Sequence, residues 1–414
     1  MRLLYSLAWV AILPFAFLHL LRRAWRQPEY LRHWGERLGF APVAPGKRPL
    51  IWLHAVSVGE TRAAAPLVRA LLMRHPGHAI LLTHATPTGR ATGGELFGDS
   101  VIQAYLPYDF PPLLWLFLRH TRPVMGVIME TEIWPNLYAA CARRGIPLFL
   151  VNARLSEKSA RGYARFRSLV APALRSLAGI AAQTESDARR LRDLGAERVA
   201  ISGNVKFDVT PPADTEERAQ GLRELFRGRF VYLAASTREG EEALILAAAG
   251  LEIPDLLLVL VPRHPQRFDA VARLLEEHKL AYVRRSANQP PHSETQVFLG
   301  DSMGELAAYY AAADVAYVGG SLLPLGGQNL IEAAAAGCPA LIGPHTWNFA
   351  EAAEQAVACG AARRVADAAG LAEAVLALSR DPVVRERMRA AGLRFAAANR
   401  GATERVMGLL EQAK

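Results

Sequence analysis

Short apolar runs alternate with helical patterns along most of the chain, and this alternation restricts the fold more than any other feature of the sequence. The run 50–54 is followed by a helical pattern over 61–74, and similar pairs recur toward the C-terminus. Short apolar strands separated by helices predict parallel sheets that are covered by helices on both faces. The runs that we interpret as strands are 50–54, 79–83, 124–129, 147–151, 177–182, 199–202, 230–235, 256–261, 281–283, 295–299, 315–318 and 340–342.

Two such domains fit the chain, because 414 residues exceed the usual size of one domain. The alternation breaks between residues 207 and 229, where Val209-Thr-Pro-Pro-Ala-Asp214 is rich in turn formers. We therefore predict an α/β protein with one doubly wound domain over 27–208, a linker over 209–229 and a second doubly wound domain over 230–414. Ligands of such sheets bind beyond the carboxyl ends of the strands, so the polar residues there are the functional candidates.

The N-terminus carries an apolar segment that predicts a membrane anchor over 1–26. Residues 3–21 contain no charge, and their length matches the roughly 17–25 residues that span a bilayer. Three arginines follow within residues 22–26 and one precedes the segment, so the positive-inside rule places the rest of the chain in the cytoplasm. A cleaved signal peptide fits less well, because the positive charge follows the apolar run and no small-x-small cleavage site precedes Arg22. A helix lying in the membrane interface is the other alternative.

The net charge of +9 is compatible with anionic partners, but the sequence contains no zinc-finger spacing and no aromatic RNA-binding motif. We therefore expect a basic face toward anionic lipid or toward phosphorylated and carboxylated substrates, and no nucleic acid.

Three cysteines argue against a disulfide framework and fit a reducing compartment. His54, His264 and His345 lack the spacing of a metal motif, and no Asp-x-Asp follows a strand, so we expect no metal and no cofactor.

Carboxylates follow two predicted strands of the first domain. Glu60 ends the turn that follows run 50–54, where a carboxylate serves either as general base for a hydroxyl nucleophile or as a favourable charge at a helix N-terminus. Glu130 and Glu132 follow run 124–129. In one arrangement Glu130 faces a cleft and Glu132 pairs with an arginine such as Arg154. In the other, an ion pair is buried and only orients the loop.

Lys206 lies where the first domain gives way to the second. A lysine at an interdomain cleft neutralises a carboxylate or a phosphate, although an exposed surface lysine is the simpler alternative.

A glycine-rich loop in the second domain, Gly319 to Glu332, follows run 315–318 and enters an alanine-rich helix. Such a loop lets backbone N–H groups and a helix N-terminus approach a phosphate, and Glu332 is placed to hold a ribose hydroxyl. An ordinary strand-to-helix turn is the alternative interpretation. Three further strand ends favour a nucleotide site: Ser236 to Glu242, whose acids resemble ordinary first-turn charges, Pro262-Arg263, and Met303-Gly304-Glu305.

Several long motifs, in chain order, resemble the Kdo transferases of lipid A biosynthesis, where Kdo is 3-deoxy-D-manno-octulosonic acid. The resemblance runs from the N-terminus to about residue 349. It rests on Arg32-His-Trp-Gly-Glu-Arg-Leu-Gly39, Ser57-Val-Gly-Glu60, Thr86-Pro-Thr-Gly89, Glu130-Thr-Glu-Ile-Trp-Pro-Asn136, Asn152-Ala-Arg-Leu-Ser156, Lys206-Phe-Asp208, Val261-Pro-Arg-His-Pro265, Met303-Gly-Glu-Leu306 and Gly319-Gly-Ser321.

The resemblance implies a GT-B glycosyltransferase: two Rossmann-like domains with an interdomain cleft, plus the membrane-anchor helix. It implies that 27–208 binds the acceptor and 230–414 binds CMP-Kdo, the donor. The enzyme would transfer Kdo with inversion to the lipid A precursor, at the cytoplasmic side of the inner membrane. By motif, Glu60 is the proton acceptor, and Glu130 and Lys206 stabilise the transition state. The CMP-binding positions are Pro262, Arg263, Met303, Gly304, Glu305, Asn329, Leu330, Ile331 and Glu332.

Two positions depart from the pattern of this family. Gln328 stands where Gly-Gly-His-Asn is usual, and Arg238 stands where Ser-Thr-His is usual. Glutamine keeps hydrogen bonding without carrying charge, whereas arginine strengthens anion binding. Two other functions remain open at this point: a GT-B-like UDP-sugar transferase or epimerase, and a non-catalytic, membrane-anchored nucleotide-binding protein.

Overall fold

The chain folds into two units, each built on its own parallel sheet. A computed structural model describes residues 1–42, 48–208, 214–247 and 253–412. One unit comprises Met1–Val209 together with Arg400–Lys414, and the other comprises Thr210–Asn399. The α/β fold class predicted from the strand and helix alternation is therefore confirmed.

The first sheet has the strand order β3-β2-β1-β4-β5-β6-β7, and all of its neighbouring strands are parallel. Its strands are β1 Leu50–His54, β2 Ala79–His84, β3 Ile102–Tyr105, β4 Pro123–Met129, β5 Leu148–Ala153, β6 Gly179–Ala182 and β7 Val199–Ile201. The helices of this unit are α1 Arg2–Arg26, α2 Trp34–Arg37, α3 Val58–Arg74, α4 Pro87–Phe97, α5 Pro111–Thr121, α6 Pro135–Arg143, α7 Glu157–Ala164, α8 Arg167–Arg175, α9 Glu185–Asp193 and, from the C-terminus, α18 Ala402–Glu411.

The second sheet has the order β10-β11-β9-β8-β12-β13-β14 and is also parallel. Its strands are β8 Phe230–Thr237, β9 Leu256–Pro262, β10 Tyr282–Arg284, β11 Val297–Leu299, β12 Val315–Val318, β13 Ala340–Ile342 and β14 Ala362–Arg364. The helices are α10 Thr215–Phe226, α11 Glu241–Ala247, α12 Phe268–Glu277, α13 Leu306–Ala312, α14 Leu330–Ala335, α15 Ala350–Ala358, α16 Ala368–Arg380 and α17 Pro382–Asn399. Short 3-10 turns occupy Pro28–Leu31, Gly98–Ser100, Val205–Asp208, Pro265–Arg267, Arg285–Ala287 and Trp347–Phe349.

The central strands are largely apolar on both sides because both faces of each sheet are covered. In β1, Leu50 and Trp52 pack in one core cluster, while Ile51 and Leu53 pack in a second. Side chains alternate between the faces of a strand, so the two clusters are the two helix-covered sides of the sheet.

The strand order of each sheet reverses at one point, and that point locates the candidate site. In the first sheet the reversal lies between β1 and β4, and in the second it lies between β8 and β12. Doubly wound sheets bind ligands beside such switch points, at the carboxyl ends of the strands. The residues that follow β1, β4, β8 and β12 are therefore the candidate site residues.

The structure differs from the predicted domain boundaries in two places. Helix α18 belongs to the first unit, although the sequence assigned all of 230–414 to the second domain. The apolar residues of α18 pack in the same core cluster as residues of α3 and β1. This packing joins residues that are distant in the sequence, so the local pattern around α18 does not predict it. The predicted linker 209–229 contains α10, and its first residues, 209–213, lie outside the described part of the chain.

The N-terminal segment forms one continuous helix, α1. Residues Arg2–Trp25 are long and apolar enough to cross a membrane, with a mean hydropathy of 1.9. One side of the helix is nevertheless in contact with the first unit, since Leu20 and Ala24 are buried together with Tyr30.

Candidate active site

Glu60 lies in the first turn of α3, directly after the carboxyl end of β1. Ser57 caps this helix, and the Val56 backbone N–H donates to Glu60 Oε2 over 2.9 Å. The Ser57 hydroxyl donates to Glu60 Oε1 over 3.3 Å. This arrangement is close to a capping box, so the sequence of the turn both starts the helix and fixes the carboxylate.

The electrostatic environment of Glu60 is unusual for a helix-capping carboxylate. The pKa of Glu60 is raised to about 7, chiefly by burial and also by the nearby carboxylates of Glu130 and Glu132, which together outweigh the hydrogen bond from Val56. A carboxyl group that titrates near neutral pH is suited to accept a proton from a hydroxyl. The geometry is thus consistent with both roles considered for Glu60, and its pKa suits it to the general base.

Glu130 and Lys206 form an ion pair next to Glu60. The Lys206 ammonium lies 3.1 Å from Glu130 Oε1, and each side chain keeps 17% of its surface exposed. Glu130 has a φ of 58°, a left-handed conformation that costs a non-glycine residue on the order of 1 kcal/mol and is common at functional sites. The Val205–Lys206 turn is held by Asn152, whose Oδ1 accepts from the Val205 N–H over 3.1 Å.

Glu132 is not paired with arginine in the described part of the chain, in contrast to one arrangement considered from the sequence. Its Oε2 accepts from the Trp134 indole N–H over 2.6 Å, and its backbone carbonyl accepts from the Tyr138 hydroxyl over 2.5 Å. Arg154 is exposed instead. Burial raises the pKa of Glu132, and the charge of Glu130 adds to that effect.

The structure therefore brings Glu60, Glu130 and Lys206 together at the switch point of the first sheet. One carboxylate follows β1, the other follows β4, and the lysine reaches the same place from the turn after β7. Three distant segments of the sequence converge because their strands are parallel and end at the same edge.

The glycine-rich loop after β12 is held by a buried carboxylate that the sequence did not single out. Glu241 is fully buried, and its Oε2 accepts from the backbone N–H groups of Gly320, over 2.6 Å, and Arg238, over 2.9 Å. Its Oε1 accepts from the Tyr317 hydroxyl over 2.5 Å and from the Leu322 N–H over 3.2 Å.

This arrangement bears on two expectations. The N–H groups of Gly320 and Leu322 donate to Glu241, so these two groups of the loop are not available to a phosphate. Glu241 and Glu242 are both buried and are not ordinary first-turn charges. Glu242 accepts instead from the Thr237 hydroxyl over 2.9 Å and pairs with Arg267 over 2.8 Å.

Close packing also explains the glycine at position 319. A Cβ there would lie 2.4 Å from the Ser236 backbone oxygen, which no larger residue tolerates. The carboxyl ends of β8 and β12 therefore touch through their backbones at the switch point.

Arg263 follows β9 and contacts the residue that departs from the family pattern. Its Nε donates to Gln328 Oε1 over 3.3 Å, and Gln328 is in turn fixed by its own N–H, which donates to the Gly319 carbonyl over 2.9 Å. Pro262, which precedes Arg263, ends β9 and is buried. Gln328 thus keeps the hydrogen-bonding role expected of it.

The candidate segment Met303-Gly304-Glu305 follows β11. Met303 is 54% exposed and Gly304 has a φ of 81°, whereas Glu305 is buried and its two carboxylate oxygens accept from Arg285 over 3.0 and 3.1 Å. The Glu305 carboxylate is therefore engaged within the unit. A ligand would meet this segment through its backbone and through Met303.

Asn329 is the N-cap of α14, and its Oδ1 accepts from the Ile331 N–H over 3.1 Å. Its amide Nδ2 donates to Glu332 Oε1 over 2.9 Å. Leu330 and Ile331 are buried against the core, so the polar contacts available here come from Asn329 and Glu332. Among the described residues, no group of three or more His, Cys, Asp or Glu side chains is arranged to hold a metal ion.

Two doubly wound α/β units, with charged residues beside both switch points, form the GT-B architecture. Solved structures share this fold: a UDP-GlcNAc 2-epimerase from Neisseria meningitidis, bound to UDP-GlcNAc, superposes with a TM-score of 0.58, covering 88% of this chain and 100% of that chain at 14% identity. The model of the "Glycosyl transferases group 1" family matches residues 215–395.

The first half matches a more specific family. The model described as "3-Deoxy-D-manno-octulosonic-acid transferase (kdotransferase)" matches residues 32–209. The 3-deoxy-D-manno-octulosonic acid transferase of Bordetella pertussis is 45% identical over 423 residues, 98% of each chain. The enzyme of that name from Haemophilus influenzae is 40% identical over 394 residues, 93% of this chain and 92% of its own. The chain belongs to the Kdo transferase family and is a glycosyltransferase.

Proposed function

We propose that this enzyme transfers Kdo from CMP-Kdo to the tetraacyl disaccharide precursor of lipid A, with inversion at the anomeric carbon. The observation that carries the proposal is the 45% identity to the Bordetella pertussis enzyme over 98% of both chains. The site geometry is consistent with it, because a general base and a carboxylate–lysine pair lie together at one switch point.

Glu60 is the proposed base. The acceptor hydroxyl is a weak nucleophile, so its proton passes to the Glu60 carboxylate as the oxygen bonds to the anomeric carbon of the donor. The bond between that carbon and the phosphate oxygen breaks, and CMP leaves with the electron pair. Burial beside Glu130 and Glu132 makes Glu60 more basic than an exposed carboxylate, which favours this proton transfer.

Glu130 and Lys206 are the proposed transition-state stabilisers. The donor sugar carries a carboxylate, and the leaving group is a phosphate, so a fixed ammonium group offsets negative charge in the transition state. Glu130 holds the lysine at 3.1 Å and so fixes where its charge lies. A preformed ion pair needs little reorganisation when charge develops.

The CMP moiety is assigned to the second unit. We propose that Pro262, Arg263, Met303 to Glu305 and Asn329 to Glu332 bind it, with Arg263 on the phosphate and Glu332 on a ribose hydroxyl. Arg263 supplies the charge, because the N–H groups of Gly320 and Leu322 in the glycine loop already donate to Glu241. No metal is needed in this proposal, since the cations are side chains.

Helix α1 is the proposed anchor in the inner membrane, with both units on the cytoplasmic side. Its length and hydropathy suit a lipid environment, and a basic chain of net charge +9 is attracted to anionic lipid. A lipid acceptor embedded in the same membrane would then be within reach of the enzyme.

A donor comparison tests the reaction. The purified enzyme is incubated with the tetraacyl disaccharide and either CMP-Kdo or a set of UDP-sugars. The mass of the lipid product is then measured by mass spectrometry. We expect one or more mass increments of Kdo with CMP-Kdo, and the number of increments gives the number of units transferred. Turnover with a UDP-sugar and none with CMP-Kdo would reject the proposal.

A variant tests the base. Glu60→Gln keeps an acceptor for the Val56 N–H but cannot take a proton, so transfer should fall about 10²–10⁴-fold while CMP still binds. Glu95→Gln, on the exposed side of α4, is the matched control and should keep full activity. Full activity in Glu60→Gln would remove Glu60 from the role of base.

A further inference from the structure

Helix α1 has two faces with different surroundings. Positions 5, 6, 9, 13, 16, 17, 20 and 24 are half-buried or buried, and this spacing of three or four residues traces one side of the helix. On the other side, Leu3, Leu7 and Phe15 are 73%, 57% and 72% exposed. We call the first side the docked face and the second the lipid face.

The docked face is fixed to the first unit by aromatic contacts. Trp9 packs on Tyr108 with ring centroids 6.0 Å apart, and Phe17 packs on Tyr108 at 5.8 Å and on Trp34 at 5.7 Å. Edge-to-face pairs at such distances add stability beyond their buried area. A helix that served only as a tether would not need an aromatic interface with the enzyme.

Polar contacts near the start of the helix reach farther into the unit. The Ser6 hydroxyl donates to Asn136 Oδ1 over 2.9 Å. The Tyr5 side chain lies close enough to the carboxylate of Asp109, next to Tyr108 in the chain, to interact with it electrostatically. Both partners are buried, with Asp109 only 2% and Asn136 only 3% exposed.

Asp109 and Asn136 together fix the first turn of α6. Asp109 Oδ2 accepts from the Asn136 N–H over 3.1 Å, and Oδ1 accepts from the Leu137 N–H over 2.8 Å. Asn136 Nδ2 returns a bond to the Asp109 carbonyl over 2.8 Å. A carboxylate from another loop thus caps α6, a helix whose own N-cap residue, Trp134, makes no side-chain cap bond.

The first turn of α6 determines where the active-site carboxylates lie. The Trp134 indole N–H donates to the Glu132 carboxylate, and the Tyr138 hydroxyl on α6 donates to the Glu132 backbone carbonyl. These two hydrogen bonds fix the loop between β4 and α6 to the first turn of α6. The same loop begins at Glu130, and its two carboxylates raise the pKa of Glu60.

We propose that α1 is a positioning element of the acceptor site as well as a membrane anchor. Through Tyr5 and Ser6 it fixes Asp109 and Asn136, and through them the loop that carries Glu130 and Glu132. The lipid face meanwhile contacts the bilayer. This inference rests on the proposed Kdo transfer, and it predicts that the two faces of one helix serve two separable functions.

Paired variants of the full-length enzyme separate the two functions. Tyr5→Phe/Ser6→Ala removes the polar contacts of the docked face, and Leu7→Ser/Val10→Ser changes the lipid face. Each is measured for turnover of CMP-Kdo at saturating, detergent-dispersed acceptor, and for binding to vesicles of phosphatidylethanolamine and phosphatidylglycerol. The docked-face variant should lose about tenfold in kcat, near 1.4 kcal/mol of transition-state stabilisation, and keep its vesicle binding. The lipid-face variant should keep its kcat and lose vesicle binding.

Two further measurements exclude a simple loss of folding. The docked-face variant should bind CMP as the wild type does, and Ser6→Thr, which keeps the hydroxyl, should retain more kcat than Ser6→Ala. An unchanged kcat in the docked-face variant, or a loss of kcat matched by an equal loss of vesicle binding, would overturn the inference. Absence of turnover in the wild type would instead reject the proposed reaction.

Discussion

At the scale of single residues, the catalytic proposal depends on how the first unit perturbs one carboxyl group. Glu60 starts a helix, as many glutamates do, yet its pKa rises to about 7 because it is buried and faces two more carboxylates. Glu130 is itself neutralised in part by Lys206, at 3.1 Å. The Glu60 carboxyl group is therefore protonated at mildly acidic pH and is able to accept a proton near neutral pH.

The pH dependence of transfer follows from the raised pKa of Glu60. A base must be deprotonated, so kcat/KM should rise about tenfold per pH unit below about pH 7 and level off above it. Glu132→Gln removes a like charge that raises the pKa of Glu60, so this variant should shift the profile to lower pH. Initial rates measured between about pH 5.5 and 8.5 check both expectations. A profile that is flat across neutrality would contradict the assignment.

Gln328 should affect donor binding more than the chemical step. Its Oε1 accepts from Arg263 Nε over 3.3 Å, and losing this bond should cost about 1 kcal/mol, or roughly fivefold in the KM for CMP-Kdo. Gln328→Leu should show this increase with little change in kcat. Gln328→His, which restores the residue usual in the family, should retain an acceptor for Arg263 and serve as the matched control. Equal KM values for the leucine variant and the wild type would exclude the role.

At the scale of elements, the central strands could be predicted, as could the edge strands β7 and β10, but the edge strands β3 and β14 could not. Strands such as β1 and β9 are buried on both faces and therefore form continuous apolar runs in the sequence. The edge strands β3 and β14 contain Gln103, Arg363 and Arg364, because an edge strand is less fully covered, so their sequences give no apolar run.

The same distinction applies to the candidate site. Glu60 and Glu130 were predicted from the rule that polar residues follow strand ends, and Lys206 from its place at the predicted domain boundary; both signals are local in sequence. Glu241 was missed because its burial depends on Tyr317 and Gly320, which lie 76 and 79 residues away in the chain. An acid in the first turn of a helix has no local signal that distinguishes a buried carboxylate from a solvated one.

Removing the Glu241 carboxylate should destabilise the second unit. Glu241→Ala leaves the buried Gly320 N–H and Tyr317 hydroxyl without this acceptor, which should lower the free energy of unfolding by about 3 kcal/mol. Denaturant unfolding measures the change. Glu239→Ala, an exposed neighbour in the same turn, should stay within about 0.5 kcal/mol of the wild type. Equal denaturant midpoints of unfolding for Glu241→Ala and Glu239→Ala would show that the buried carboxylate does not stabilise the loop.

At the scale of the whole molecule, the chain crosses from the first unit to the second and returns. Helix α18 packs its apolar residues against α3, and Asp208 accepts from the N–H groups of Gly401, over 2.7 Å, and Thr403, over 2.5 Å. The segment where the chain leaves the first unit thus binds the segment where it returns. The last residues should therefore stabilise the first unit and not the unit that precedes them in sequence.

A core substitution in α18 tests where this helix belongs. Met407 is fully buried, so Met407→Ala should lower the free energy of unfolding of the first unit by at least about 2 kcal/mol. Hydrogen exchange followed by mass spectrometry should then show peptides of α3 and β1 exchanging roughly 30-fold faster, with peptides of β8 and β12 unchanged. Met73→Ala, 76% exposed on α3, is the matched control and should change neither set. If the peptides of β8 and β12 lost protection instead, α18 would stabilise the second unit, as the sequence had predicted.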